Sequence, residues 1–73
     1  MPAYVAALSC LQDDKPVPYE TSQITAENDE DAVRKAVEWR VTTVTTIDRR
    51  TWLEVFREGE SRAFHSKEIA RIR

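Results

Sequence analysis

The most regular alternation of apolar and polar positions in this chain lies between Asn28 and Ile47. At 100° per residue, one side of a helix collects the apolar side chains and the opposite side collects the charged and threonine side chains. The apolar sector holds Val33, Ala36, Val37, Val44 and Ile47, with Ala32 and Trp39 at its border. Asn28 is a suitable N-cap, and three acids follow in the first turn, where the helix dipole favours negative charge. The pattern predicts an amphipathic helix over about residues 29–46, which needs another surface to pack on.

The end of this helix has two interpretations. Residues 41–47 are all Val, Thr or Ile, which favour strands because their χ1 rotamers are stiff. Keeping them helical costs about 3 to 4 kcal/mol relative to alanine. The helical stripe nevertheless continues in phase through Val44 and Ile47, whereas a strand would alternate poorly. We favour a helix to about residue 46 with a frayed last turn over a strand across 41–47.

Two strand-like segments precede the helix. Residues 3–11 place apolar side chains on both faces, which is typical of an interior strand. Residues 12–18 form the predicted turn, in which Pro16 and Pro18 are expected to block regular pairing. Residues 19–26 are more polar and are predicted to form an edge strand.

Two further strand-like segments follow the helix. Residues 51–57 are strongly apolar, with Leu53 and Val55 on one face and larger side chains on the other. A tight turn is predicted at Gly59, the single glycine, where a positive φ is needed. Residues 61–66 are expected to return as the fourth strand, and residues 67–73 either prolong it through Ile69 or form a loose turn.

The resulting order is ββαββ, which predicts an α+β fold in which one helix packs on one face of a four-stranded antiparallel sheet. A chain of 73 residues makes one small domain over residues 1–73, and it buries only about 60% of its unfolded surface. Its core is therefore expected to be thin. Because the first and third strands are apolar on both faces, the face without a helix should expose Trp52 and Phe56, with Tyr4 or Leu8 beside them. An apolar patch of this kind usually marks an interface.

Three interpretations of Trp52 and Phe56 follow. They could anchor a homodimer or a contact with another protein, since aromatic side chains often contribute much of the binding energy. They could be a stacking platform for single-stranded nucleic acid, with phosphates held by Arg49, Arg50, Arg57 and Arg62. Alternatively, they pack under the helix while Leu53 and Val55 face outward, or the chain ends cover them. The candidate interaction surface consists of Trp52, Phe56, Tyr4 and Arg57.

Charge affects the choice among these interpretations. The net charge of −2 counts against nucleic acid, because basic charge supplies most of that affinity. Residues 1–32 carry one lysine against seven acids, whereas the remainder carries ten Lys or Arg against six acids. Such a dipolar chain could pair with a copy of itself, although folding also intermixes the two halves. A protein partner, and a second copy in particular, is the favoured expectation.

Residues capable of catalysis are few. The chain has no phosphate-binding glycine loop, HExxH, CxxC or nucleophile motif. His65 would need an orienting partner and a pocket to act as a general base, and Cys10 lies in an apolar strand, as a small buried hydrophobe would. Residues 29–31 are acidic but lack the spacing of a calcium loop. We expect no enzymatic activity, no cofactor and no metal site.

The cellular location is inferred from two features. The longest apolar run, residues 3–8, is much shorter than a membrane span or a signal-peptide core. A single cysteine forms no internal disulfide, which agrees with a reducing compartment. We therefore expect a cytoplasmic protein that does not insert into membranes.

Overall fold

Four strands and one helix follow one another in the predicted ββαββ order. The computed structural model describes residues 2–43 and 50–69. Its elements are β1 (Ala3–Gln12), β2 (Lys15–Thr25), α1 (Asp29–Thr43), β3 (Thr51–Arg57) and β4 (His65–Ile69). The strands form one sheet in the order β2-β1-β3-β4, and all three neighbouring pairs are antiparallel. The predicted α+β class and antiparallel sheet are confirmed.

The first hairpin is tighter than predicted. Its turn consists of Asp13 and Asp14, whose φ angles are 54° and 63°, as a two-residue primed turn requires. The expectation that Pro16 and Pro18 interrupt pairing is wrong, because β2 begins at Lys15 and pairs with β1 through both prolines. β2 is an outer strand, where a proline nitrogen that faces solvent removes no hydrogen bond from the ladder. The pairing register shifts between Leu8 and Ser9, which lie opposite Glu20 and Pro18, as at a β-bulge.

The two positive φ angles make this turn a site for stabilisation. Asp tolerates the left-handed region only at some cost, whereas glycine adopts it freely. Asp14→Gly is expected to raise the free energy of unfolding by about 0.5–1 kcal/mol, measured by urea denaturation. The matched control Glu20→Gly, inside β2, should lower it by about the same amount because glycine weakens a strand interior. Equal destabilisation by both substitutions would contradict this account of the turn.

The second hairpin is longer than predicted. Gly59 has the expected positive φ of 82°, and the Glu60 N–H donates to the Arg57 carbonyl (3.0 Å). The fourth strand, however, begins at His65 and not at Ser61, and it ends at Ile69, as the predicted prolongation does. The reason is Phe64, which turns onto the core and meets the Tyr4 ring edge-on at a centroid distance of 5.9 Å. The chain rejoins β3 at Phe64, whose N–H donates to the Val55 carbonyl (3.0 Å).

The start of α1 agrees with the sequence prediction. The Asp31 N–H donates to Asn28 Oδ1 (2.8 Å), and the Glu27 N–H donates to Asp31 Oδ2 (3.2 Å). The arrangement differs from a capping box in one respect, because the Asp31 carboxylate accepts from the residue before the N-cap and not from Asn28 itself. At the other end, residues 41–43 are helical, which supports the helical interpretation that far. Residues 44–47, including Val44 and Ile47, lie outside the described residues.

The helix packs through one edge of the predicted apolar stripe, since Ala36 lies in the core and Val33 packs against it, but Val37 does not. Ala32 and Ala36 are fully buried, whereas Val37 is 42% exposed and Val41 is 55% exposed. Relative to the predicted stripe, the helix is turned by roughly 60° about its axis. Small alanine side chains let the helix backbone approach the sheet closely, and the larger Trp39 packs at the margin.

The core between the helix and the sheet is small. Its buried members are Tyr4, Ala6, Leu8, Ile24, Ala26, Ala32, Ala36, Leu53 and Val55. Four of these nine are alanines, each of which contributes little apolar area. The thin core expected from chain length is therefore made thinner by its composition.

Candidate interaction surface

The side of β3 that faces the helix decides which aromatic side chains remain uncovered. Leu53 and Val55 belong to the core with Ala32 and Ala36. Because successive side chains of a strand point to opposite faces, Trp52, Glu54 and Phe56 lie on the face that α1 does not cover, where all three are half-buried. The interpretation in which the two aromatic side chains pack beneath the helix therefore does not hold.

We define the helix-free face from the strand registers. β1 pairs with β3 so that Val5 lies opposite Phe56, Ala7 opposite Glu54 and Ser9 opposite Trp52. β2 adds side chains on the far side of β1. The helix-free face comprises Ala3, Val5, Ala7, Ser9, Leu11, Pro16, Pro18, Thr21, Gln23, Thr25, Trp52, Glu54, Phe56, Ser66 and Glu68.

A groove crosses this face along β1. Its floor is formed by the small side chains of Val5 and Ala7, and its walls include Phe56 on one side and Pro18 on the other. Ala7 is almost fully buried because these larger neighbours shield it. A second depression beside Trp52 contains Leu11, Pro16, Glu54 and Ser66. The helix-free face is therefore not flat, because it has two depressions that are lined in part by apolar side chains.

The charged groups on this face are held in place by neighbours. Ser9 Oγ donates to Glu54 Oε1 (2.6 Å), which fixes a carboxylate between the two aromatic side chains. Arg50 lies over the Trp52 ring, with Cζ 5.0 Å from its centroid, and donates to both carboxylate oxygens of Glu68 (2.7 and 3.1 Å). This bidentate contact lowers the pKa of the Glu68 carboxyl and raises the pKa of Arg50. The edge of the face near Trp52 is therefore ordered and carries paired charge.

Tyr4 and Arg57, two of the four residues expected on the surface, lie on the opposite side of the sheet. They are register partners on β1 and β3, and Tyr4 is only 4% exposed. Tyr4 Oη donates to Asp29 Oδ1 (2.9 Å), and Arg57 also binds Asp29 while its guanidinium lies over Phe64. Leu8, considered beside them, is fully buried opposite Leu53 for the same reason. Of the four residues predicted to form the interaction surface, Trp52 and Phe56 therefore lie on the helix-free face.

The Asp29 cluster provides a test of pH dependence. Hydrogen bonds from Arg57 are the main reason that the pKa of Asp29 is lowered, and the Tyr4 hydroxyl adds to them against the effect of burial. A lowered folded-state pKa gives stabilisation that is present above the unfolded value of about 3.9 and is lost as pH falls through the folded value. Asp29→Asn should therefore lose less unfolding free energy than the wild type between pH 5 and pH 2, measured by urea denaturation.

A matched control separates this effect from general acid denaturation. Glu20→Gln removes a carboxylate on β2 that forms no salt bridge among the described residues, so its pH profile should follow the wild type. Identical profiles for Asp29→Asn and the wild type would show that the cluster does not couple folding to protonation.

The four arginines considered for phosphate binding are not brought together. Arg50 is bound by Glu68, and Arg57 lies on the helix-covered side with Asp29. Arg62 lines the groove beside Phe56, and Arg49 lies outside the described residues. The structure therefore places one unpaired arginine of the described three next to the groove.

The residues considered for catalysis and metal binding are also dispersed. His65 begins β4, an outer strand, and Cys10 is a free, half-buried thiol near the end of β1. Within residues 2–43 and 50–69, no group of three or more His, Cys, Asp or Glu side chains is arranged to hold a metal ion. Over the same residues, no helix has both the length and the apolar character needed to cross a bilayer.

Sequence reasoning missed the floor and far wall of the groove. Alternation alone assigned Val5 and Ala7 to one face of β1, but that face joins Phe56 only through the β1–β3 register. The sequence predicts a turn at Pro16 and Pro18, whereas both lie in β2 and line the groove.

No protein-family model matches this chain, and no curated protein or solved structure is significantly similar to it.

Proposed function

We propose that this chain is a non-enzymatic interaction domain that pairs with a second copy of itself through the helix-free face. The observation that carries the proposal is that small side chains fill much of the core, whereas larger apolar side chains of β3 lie on the other face of the sheet. Alanines fill much of the covered core, whereas Trp52 and Phe56, the largest apolar side chains of β3, lie on the uncovered side. Burying them against a second copy adds apolar area that the small core lacks.

The size of the face is compatible with a stable dimer. The molecule measures 34 × 25 × 15 Å, and the two longer dimensions are those of the sheet in a two-layer fold. A face of this size can supply the roughly 800 Å² per partner that specific interfaces bury. The groove on this face can receive an aromatic side chain of the partner.

Charge placement favours a second copy over an unrelated partner. In a face-to-face dimer with antiparallel β3 strands, the Phe56 end of one protomer lies over the Trp52 end of its partner. Arg62 lines the groove beside Phe56, and Glu54, which lies between the two aromatic side chains, lines both the groove and the depression beside Trp52. A pairing that is offset along β3 brings the Arg62 guanidinium of one protomer to the Glu54 carboxylate of its partner and keeps the two Glu54 side chains apart.

Sedimentation velocity over a concentration series tests this function. We expect the weight-average sedimentation coefficient to rise from the monomer value toward the dimer value as concentration increases through the micromolar range. A monomer at every concentration would overturn self-association. Association that remains unchanged in Phe56→Ala would show that another surface is responsible.

Single-stranded nucleic acid is the rival occupant of the same face. With Arg50 and Arg57 engaged by carboxylates, one described arginine remains at the groove, which is few for phosphate binding. In a Trp39→Phe background, added single-stranded RNA should leave Trp52 emission unchanged at low salt. Quenching that disappears as salt is raised would favour the rival function instead.

A further inference from the structure

A separate groove lies between α1 and β4, on the helix side of the sheet. Its volume is about 240 Å³, and it is lined mainly by Val37, Arg40, Leu53, His65, Lys67 and Ile69. Apolar side chains from the helix and both strands form its floor. Cationic and imidazole side chains stand at its rim. Glu68 also lines it and is shared with the edge of the helix-free face, whereas the six residues named above lie on the helix side.

The packing of α1 creates this groove. Because the helix rests on Ala32 and Ala36, its Val37 side chain remains 42% exposed at the margin of the sheet. The β3–β4 register places Lys67 opposite Leu53 and His65 opposite Val55, so both point to the helix side. The groove is thus built by three regular elements, α1, β3 and β4, and not by a loop.

The rim is positively charged in a chain whose net charge is −2. Among the residues that the structure describes, neither Arg40 nor Lys67 forms an ion pair. Glu68 also reaches the rim, but both of its carboxylate oxygens accept hydrogen bonds from Arg50. Two cationic side chains therefore face the groove without a carboxylate to neutralise them.

We propose that this groove binds a small amphipathic carboxylate. Its apolar tail lies on Val37, Leu53 and Ile69, and its carboxylate accepts hydrogen bonds from Arg40 and Lys67. An imidazole N–H of His65 is placed to add a third donor. The groove is smaller than the roughly 300–1,000 Å³ of sites for drug-sized ligands, which restricts the occupant to a short chain or a single ring.

Octanoate, with octanol as its uncharged counterpart, is the probe for this site. In two-dimensional NMR of the full chain, octanoate should shift the resonances of Val37, Leu53 and Ile69 in a saturable manner. Arg40→Gln and Lys67→Gln should each weaken octanoate binding about tenfold, because each removes a charge-assisted hydrogen bond. Lys15→Gln, which removes a lysine from the far hairpin, should leave the affinity unchanged.

Three results would overturn the proposal. The first is the absence of saturable shifts in the groove residues at millimolar octanoate. The second is octanol binding as tightly as octanoate, since the cationic rim would then contribute nothing. The third is a loss in Lys15→Gln equal to that in Lys67→Gln, which would reflect overall charge alone. Because Trp52→Ala leaves this groove intact, octanoate binding in that variant separates this proposal from self-association.

Discussion

Replacing Trp52 with alanine is expected to raise the dimer dissociation constant about 30-fold or more, as loss of a central aromatic anchor does. Trp52 lies on the helix-free face, where Arg50 already orders its ring. The fold should survive, because Trp52 is not a member of the buried core. Sedimentation equilibrium gives the dissociation constant, and circular dichroism checks the fold.

Two further variants make this result specific. Phe56→Ala should weaken association in the same direction, because Phe56 lies on the same face and lines the groove. Val41→Ala, which truncates an apolar side chain that is 55% exposed on the helix, should leave association unchanged. If Val41→Ala weakens the dimer and Trp52→Ala does not, the interface lies on the helix and not on the helix-free face.

Leu8→Ala should lower the free energy of unfolding by about 2–5 kcal/mol. Leu8 is fully buried and is one of the largest side chains in a core otherwise rich in alanine, so neighbouring side chains have little volume with which to fill the cavity. A domain of this length has a total stability of only about 4–11 kcal/mol. The variant is expected to be partly unfolded at 37 °C.

Leu11→Ala is the matched control, since it makes the same substitution three residues along β1. Leu11 is 48% exposed, so the loss should stay within about 0.5 kcal/mol. Urea denaturation should be carried out at low concentration, where the protein is monomeric, because Leu11 borders the depression beside Trp52. Equal losses from the two substitutions would contradict the location of the core.

Features encoded by local chemistry could be predicted from the sequence. Asn28 caps the helix through its own side chain, and strand alternation in β3 separates Trp52 and Phe56 from Leu53 and Val55. Each of these needs only neighbouring residues to be specified. The element order follows from such features, but strand alternation leaves open which face of β3 the helix covers, and the structure decides that point.

Features that depend on packing between residues distant in sequence could not be predicted from the sequence. The rotation of α1 about its axis depends on how closely Ala32 and Ala36 approach the sheet. The spacing of apolar residues along the helix does not predict that distance. The start of β4 depends on Phe64 reaching Tyr4, which is remote in sequence. The same limitation misplaced Tyr4 on the exposed face, because the β1–β3 register was needed to place it.

The most direct test of the helix-free face as a self-association surface is isotope-filtered NMR on an equal mixture of labelled and unlabelled chains. The account predicts intermolecular NOEs from the Trp52 and Phe56 rings to the partner's helix-free face, including its Val5 methyl groups. Intermolecular NOEs confined to Val37 and Val41 on the helix would contradict it.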